Sequence, residues 1–177
     1  MRLDKSSIRL MTALAVGVLL GGCSFFVPKE SYVFPVSGDP SAMLRMYDSD
    51  WVNLSVINLS KDGCYAGSTL LTKSVGLTEA RVWAGKSLLI GYGKSLGHKS
   101  YCEISFSFTP QVGANYDLRS GSWSENKAGL LPGFTREQEY CGVVLVKAVE
   151  GVESVEPIQM MRVKPGLSCH SFVRARR

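Results

Sequence analysis

The segment Tyr101–Thr109 alternates between apolar and polar side chains, and this pattern limits the fold more than any other feature of the chain. The apolar positions are occupied by Cys102, Ile104, Phe106 and Phe108. A period of two is typical of a β-strand with one buried face. We therefore expect a sheet that packs against a core, with the side chain of Cys102 directed into that core.

Other short β-prone segments follow one another after Trp51, separated by turns such as Asp62-Gly63. They are Trp51–Leu59, Ser68–Lys73, Glu79–Ala84, Ser87–Tyr92, Asn115–Leu118, Tyr140–Val149, Pro157–Val163 and Cys169–Val173. No segment longer than two turns has helical periodicity. The pattern predicts an all-β fold with eight or nine short strands, arranged as a small β-sandwich, with a small β-barrel as the alternative.

Two regions are expected to lie outside these strands. Ser24–Asp50 contains three prolines and is interpreted as a tether, with one or two helical turns in Pro40–Asp48. Arg119–Phe134 is rich in Gly and Ser and is predicted to be a long loop that holds Trp123.

The N-terminal segment has the organisation of an export signal. Met1–Arg9 is positively charged, and Leu10–Gly22 is apolar or small but shorter than the roughly 20 residues of a spanning helix. It ends in Leu20-Gly21-Gly22-Cys23, which resembles the lipobox of bacterial lipoproteins: an aliphatic residue, two small residues and a cysteine. The resemblance implies that residues 1–22 are removed and that the Cys23 thiol receives a diacylglycerol group.

The lipobox also implies where the protein resides. Two or three acyl chains on Cys23 would anchor it to a membrane without a spanning helix. Ser24 follows the cysteine, where an aspartate would favour the inner membrane, so the resemblance favours the outer membrane and a domain that faces the periplasm. The expected organisation is a signal peptide (1–22), a lipidated tether (23–50) and a β-sandwich domain (51–177).

With Cys23 lipidated, an even number of cysteines remains. They are Cys64, Cys102, Cys141 and Cys169. In an exported chain this predicts two disulfides, and the absence of a C-x-x-C spacing disfavours a zinc ribbon or a redox motif. Three pairings are possible; we expect Cys64–Cys102 and Cys141–Cys169, which join neighbours along the chain.

Charge and histidine content reduce the set of functions further. The signal segment carries three basic residues and one acidic residue, so its removal lowers the net charge from +5 to +3. No basic stripe remains, and we expect no nucleic-acid partner. His98 and His170 are far apart in sequence and are interpreted as surface residues, so neither a metal nor a cofactor is expected.

One enzyme-like motif is present. Gly93-Lys94-Ser95-Leu96-Gly97 matches the G-x-S-x-G pattern of serine hydrolases, and Asp117 and His170 follow in that family's order. In that family a helix follows the serine, whereas here the next predicted element is the strand that starts at Tyr101. We therefore expect a protein without enzymatic activity.

Trp123 is the best candidate for partner binding, because a large aromatic side chain on a polar loop can anchor a protein or stack on a sugar. The alternative, that it covers the edge of the core, stays open. The whole plan resembles small outer-membrane lipoproteins with an immunoglobulin-like or transthyretin-like domain. That resemblance implies a structural or protein-interaction role in the envelope, for example in a secretion assembly. The alternative is an inhibitor or ligand-binding module, similar to lipoproteins that block lysozyme.

Overall fold

The computed structural model describes residues 31–96, 101–129 and 135–176, and these residues form strands and turns without a helix. Nine strands lie in this part of the chain, which confirms the all-β prediction. They are β1 (Ser41–Leu59), β2 (Tyr65–Trp83), β3 (Leu88–Ser95), β4 (Tyr101–Phe108), β5 (Asn115–Ala128), β6 (Thr135–Val149), β7 (Val152–Glu156), β8 (Gln159–Lys164) and β9 (Ser171–Arg174).

The strands form two sheets that pack face to face, one of five strands and one of six. The five-stranded sheet has the order β7-β6-β5-β1-β2, and the six-stranded sheet has the order β2-β1-β3-β4-β8-β9. β1 and β2 belong to both sheets because each is 19 residues long. The first half of β1 pairs with β5 in parallel, whereas its second half pairs with β3 antiparallel.

The β1–β2 hairpin bends where it passes from one sheet to the other. Asp48 pairs with Gly76 and Val52 pairs with Ser74, so β1 has extra residues at this point. Such a bulge bends a strand and increases its local twist. Gly76 has φ of +109°, a conformation that side chains with a Cβ rarely adopt. The bend lets one hairpin contribute to both layers of the sandwich.

The core lies between the two sheets and is formed by inward-facing side chains of both. The largest fully buried apolar and aromatic side chains of the strands include Leu44, Met46, Leu54, Ile90, Tyr92, Phe106, Tyr116, Leu118 and Leu145. On β4, the predicted alternation is confirmed: its even-numbered residues are buried and its odd-numbered residues face outward. The Tyr116 hydroxyl accepts a hydrogen bond from the Gln111 backbone N–H at 3.0 Å, which closes the turn before β5.

Two predictions about segment type are wrong. β1 starts at Ser41 rather than Trp51, so Pro40–Asp48 is not helical, because Ala42, Leu44 and Met46 alternate into the core. β5 continues to Ala128, so most of the predicted loop Arg119–Phe134 is a strand. That part of β5 is paired with β6 but has no buried face, and it therefore lacks the alternation by which a strand is recognised.

The structure confirms two disulfides but corrects their pairing. The bonds are Cys64–Cys169 and Cys102–Cys141, not Cys64–Cys102 and Cys141–Cys169. Cys102 on β4 and Cys141 on β6 belong to different sheets and meet across the sandwich, with their Cα atoms 6.2 Å apart. The two bonds are nested: Cys102–Cys141 joins two consecutive cysteines, and Cys64–Cys169 joins the outermost two.

The six-stranded sheet curls until its edge strand β9 reaches the start of β2. Cys64 and Ser171 form an isolated bridge there, and the Tyr65 N–H donates a hydrogen bond to the His170 carbonyl at 2.7 Å. Because a single bridge rather than a ladder joins these edges, the described residues form a sandwich with open sheets and not the closed barrel of the alternative prediction.

Candidate functional site

The β5–β6 hairpin extends past the strands on either side of it. β5 pairs with β1 only through residues 115–118, and β6 pairs with β7 only through residues 145–149. Beyond these ladders, Arg119–Ala128 and Thr135–Val144 pair only with each other within the described residues. We call this two-stranded extension the β5–β6 arm. Most of its side chains are exposed on both faces, which distinguishes it from the rest of the sandwich.

Trp123 lies on the outward face of this arm, opposite Tyr140. The two rings stack with their centroids 5.7 Å apart and their planes 16° from parallel. The Lys127 ammonium group lies 5.0 Å from the centroid of the Tyr140 ring, which is the geometry of a cation–π contact. We call Trp123, Tyr140 and Lys127 the aromatic patch. Trp123 remains 51% exposed, and the ring on which it stacks belongs to the arm itself.

The aromatic patch and a disulfide stabilise an element that has no core of its own. An isolated two-stranded hairpin is marginally stable in water. A stacked aromatic pair contributes about 0.5–1.5 kcal/mol beyond its buried area. Cys141 connects the base of the arm covalently to β4, and Gly142 leaves room for the Trp123 ring at 3.4 Å from where a Cβ would stand. The arm is therefore held in place while its outer surface stays accessible.

The backbone edges of the arm are a second accessible feature. In the part of the chain that the structure describes, no strand pairs with the outer edge of β5 after Leu118 or with the outer edge of β6 before Leu145. Unpaired N–H and C=O groups along a strand can accept a further strand from another chain. The arm thus combines aromatic side chains with two edges that are competent for strand addition.

A buried polar cluster lies between the sheets near the base of the arm. The Lys94 ammonium contacts the Asp48 carboxylate at 3.2 Å, and the Ser120 hydroxyl donates a hydrogen bond to the same carboxylate at 2.6 Å. The side chains of Asp48 and Lys94 are only 5% and 12% exposed. This cluster therefore positions β1, β3 and β5 rather than meeting a partner directly.

The sequence analysis did not find this cluster. Asp48 lies in the segment interpreted as a tether, and Lys94 lies in the hydrolase-like motif. One signal was available: Asp48 is in phase with Ala42, Leu44 and Met46, so a strand through these residues would direct its carboxylate inward.

The hydrolase-like residues are not brought together. Ser95 ends β3, and the next described element is the antiparallel strand β4 rather than a helix. Asp117 alternates with buried residues on β5 and faces outward from the five-stranded sheet, whereas His170 lines a groove on the outside of the six-stranded sheet. Among the described residues, no group of three or more His, Cys, Asp or Glu side chains could hold a metal ion.

Cys23 and His98 lie outside the described residues. Within those residues, no helix has the length and hydrophobicity needed to cross a membrane. No family model, no curated protein and no solved structure gives a significant match to this chain.

Proposed function

We propose that this protein is a lipid-anchored protein of the bacterial cell envelope that binds another protein through the β5–β6 arm. The observation that carries the proposal is the aromatic patch, because it is half-exposed on an element without a core. Tryptophan, tyrosine and arginine are the residues that most often dominate binding energy at protein interfaces.

The chemistry of the arm favours a protein over a nucleic acid. Arg119 on its outward face is paired with Glu153 at 3.0 Å, and both side chains are more than half exposed. Glu125 and Lys127 lie further along the same face, so the charges are mixed in sign. A nucleic-acid site would need an uninterrupted basic surface. Mixed charge around an aromatic centre is instead typical of the rim of a protein interface.

The lipobox and the disulfides support an envelope location. Cys23 would carry the acyl chains, and two disulfides are typical of proteins that fold in an oxidising compartment. By the same resemblance, Ser24 favours the outer membrane and a domain that faces the periplasm.

The distance from the lipid anchor to the domain is short. Tyr32 already contacts β2: its N–H donates to Thr69 at 2.7 Å, and its hydroxyl accepts from the Trp83 N–H at 2.9 Å. The chain between Cys23 and Tyr32 can span at most about 30 Å. The sandwich would therefore stay near the membrane surface, within reach of partners on that surface.

Substitution of the lipobox cysteine tests the anchor. We expect Cys23→Ser to prevent lipidation, so that the protein moves from the membrane fraction to the soluble fraction and loses the mass of its acyl chains. Mass spectrometry and fractionation of cells measure both effects. An unchanged mass and an unchanged membrane fraction would contradict the anchor but would leave the role of the arm open.

Photo-cross-linking in intact envelopes tests the arm. A photoreactive residue at Gln138, on the outward face, should form one defined protein adduct, and the same probe at Val112, in a turn outside the arm, should not. Trp123→Ala should remove the adduct, whereas Trp123→Phe, which keeps a ring beside Tyr140, should retain most of it. Equal adducts from Gln138 and Val112, or an adduct that survives Trp123→Ala, would contradict the proposal.

An inhibitor function is the second candidate, and the exposure of the arm on both faces favours it. A two-stranded element of this kind can enter the cleft of an enzyme. A lysozyme-inhibition assay with the purified protein distinguishes the two functions. Inhibition that is abolished by Trp123→Ala would support the inhibitor function, and unchanged lysozyme activity would exclude inhibition of lysozyme.

A further inference from the structure

A groove lies on the outer face of the six-stranded sheet, on the side turned away from the five-stranded sheet. Its volume is about 290 Å³. The floor is formed where β3 contributes Gly91 and Gly93, which pair with Ser55 and Asn53 on β1. Because two successive outward positions on β3 have no side chain, the outer face of the sheet has a depression at its middle.

One wall of the groove is the β8–β9 hairpin together with the start of β2. The disulfide Cys64–Cys169 fastens these elements, with the two Cα atoms 5.2 Å apart. The Tyr65 and Phe172 rings, one from each side of this junction, have centroids 6.4 Å apart. Since a covalent bond and a backbone hydrogen bond hold this wall, the groove is formed before any ligand enters.

Tyr101 forms another part of the lining. Its hydroxyl accepts a hydrogen bond from the Asn53 side-chain amide at 3.2 Å, so the ring crosses over Gly93. A Cβ on Gly93 would collide with the Tyr101 hydroxyl, and the glycine is therefore what allows the ring to lie across the neighbouring strand. Tyr101 is 57% exposed, which leaves ring surface available to a ligand.

The lining combines aromatic faces with hydrogen-bonding groups, most of which are uncharged. The polar side chains are Asn53, Ser55, Ser68, Glu103, Ser105 and His170. Among the described residues, neither lysine nor arginine lines the groove, and Glu103 is its single carboxylate. A phosphate or another anion would meet no fixed positive charge here, and an apolar ligand would leave the amide and hydroxyl groups unpaired.

We propose that this groove binds a neutral carbohydrate of one or two sugar rings. A sugar ring has C–H faces that pack on aromatic rings and a rim of hydroxyl groups that donate and accept hydrogen bonds, which matches the lining. The volume is at the lower end of the roughly 300–1,000 Å³ found for small-molecule sites, which fits a ligand of this size. The proposal is independent of the arm and of the lipid anchor, because no residue of the arm lines the groove and the argument does not use Cys23.

Calorimetric titration of the purified full chain tests this site. The protein is held in a zwitterionic detergent without a sugar headgroup, and the probe is N,N′-diacetylchitobiose. We expect saturable binding with a millimolar Kd and at least tenfold weaker binding of glucose 6-phosphate. Failure of the disaccharide to bind, or tighter binding of the phosphorylated sugar, would overturn the proposal.

Matched variants of β4 locate the binding to the groove. Ser105 lines the groove, and Ser107, two residues along the same face of β4, does not. Ser105→Leu should weaken disaccharide binding at least tenfold because its side chain occupies the floor, whereas Ser107→Leu should leave the Kd unchanged. Tyr101→Ala, at an exposed position where folding is not at risk, should also weaken binding at least tenfold. Equal binding by the wild type, Ser105→Leu and Tyr101→Ala would overturn the assignment.

Discussion

At the scale of single residues, the buried polar groups have the largest consequences for stability. Asp48 and Lys94 form an ion pair with almost no contact to water, and Ser120 adds a hydrogen bond to the carboxylate. A buried ion pair contributes little compared with apolar residues of the same shape, but loss of one partner leaves an uncompensated charge. The cluster therefore adds little net stability, and its main effect is to fix which strands lie together at the bend.

Removal of the lysine charge tests this statement. We expect Lys94→Met to lower the free energy of unfolding by about 3–5 kcal/mol, because it removes the positive charge of Lys94 from beside a buried carboxylate. The exposed pair Arg45–Glu79, at 2.9 Å, is the control: Glu79→Gln should cost less than about 1 kcal/mol. Chemical denaturation at neutral pH measures both. Similar losses for the two variants would show that the Asp48–Lys94 pair is not effectively buried.

Two tyrosines make the free energy of unfolding depend on pH in the alkaline range. Burial raises the pKa of Tyr116 and of Tyr32 above the ordinary value of 10.0. The unfolded chain releases these protons near pH 10, whereas the folded protein keeps them to higher pH. The stabilising contribution is therefore complete below pH 10 and is lost as the pH rises through the folded-state pKa values.

We accordingly expect Tm to fall as the pH rises above 10.0, the ordinary pKa of tyrosine, and Tyr116→Phe to make this fall less steep. The same variant should lower stability by about 1 kcal/mol at pH 7, because the Gln111 N–H loses its acceptor. Thermal unfolding across this pH range, followed by circular dichroism, measures both effects. A pH profile identical to that of the wild type would contradict the role assigned to Tyr116.

At the scale of elements, the bend in the β1–β2 hairpin decides the architecture. A straight hairpin of this length would extend one flat sheet, whereas the bulge opposite Gly76 directs its two halves into different layers. The same hairpin thereby supplies inward-facing residues to both sheets.

Substitution of the glycine at the bend tests its importance. Gly76→Ala should destabilise the protein by about 1–3 kcal/mol, because φ of +109° is unfavourable for a residue with a Cβ. Gly121→Ala is the matched control, since Gly121 is a strand glycine whose Cβ would have nothing within 4 Å and whose φ is not in the left-handed region. Equal unfolding free energies for the two variants would show that the bend does not depend on the conformation of Gly76.

The strand β4 was predictable from its sequence, and the outer half of β5 was not. The sequence predicts a strand at Tyr101–Thr109, and β4 runs from Tyr101 to Phe108. This strand is predictable because apolar and polar side chains alternate along it, as they do in a strand with one buried face. The outer half of β5 was assigned to a loop because its Ser, Glu, Asn and Lys residues are solvated on both faces. Its strand conformation depends on pairing with β6, and a single strand carries no signal of that pairing.

At the scale of the whole molecule, the disulfides join parts that are far apart in sequence. Cys64–Cys169 spans 105 residues and Cys102–Cys141 spans 39. The first connects the residue before β2 to the segment between β8 and β9, and the second connects the two sheets. Since longer loops lose more chain entropy when they are closed, both bonds should contribute strongly to stability.

Peptide mapping without reduction tests the pairing. We expect cross-linked peptides that contain Cys64 with Cys169 and Cys102 with Cys141. The double variant Cys64→Ser/Cys169→Ser should lower the free energy of unfolding by roughly 4–5 kcal/mol, and Cys102→Ser/Cys141→Ser by roughly 4 kcal/mol. A peptide that joins Cys64 to Cys102 would contradict this topology.

The sequence by itself determined the strand-rich class, the turn at Asp62-Gly63, the buried face of β4 and the even set of four cysteines. These features depend on local patterns: a period of two, a turn residue with positive φ, and a count. Tertiary structure alone decided which cysteines pair, where Trp123 lies, and how Asp48 meets Lys94. Each of these depends on which strands lie side by side. The bend of the β1–β2 hairpin brings Asp48 to Lys94, the curl of the six-stranded sheet brings Cys169 to Cys64, and the pairing of β5 with β6 places Trp123 beside Tyr140. Contacts between strands that are distant in sequence leave no periodic trace in the sequence of either one.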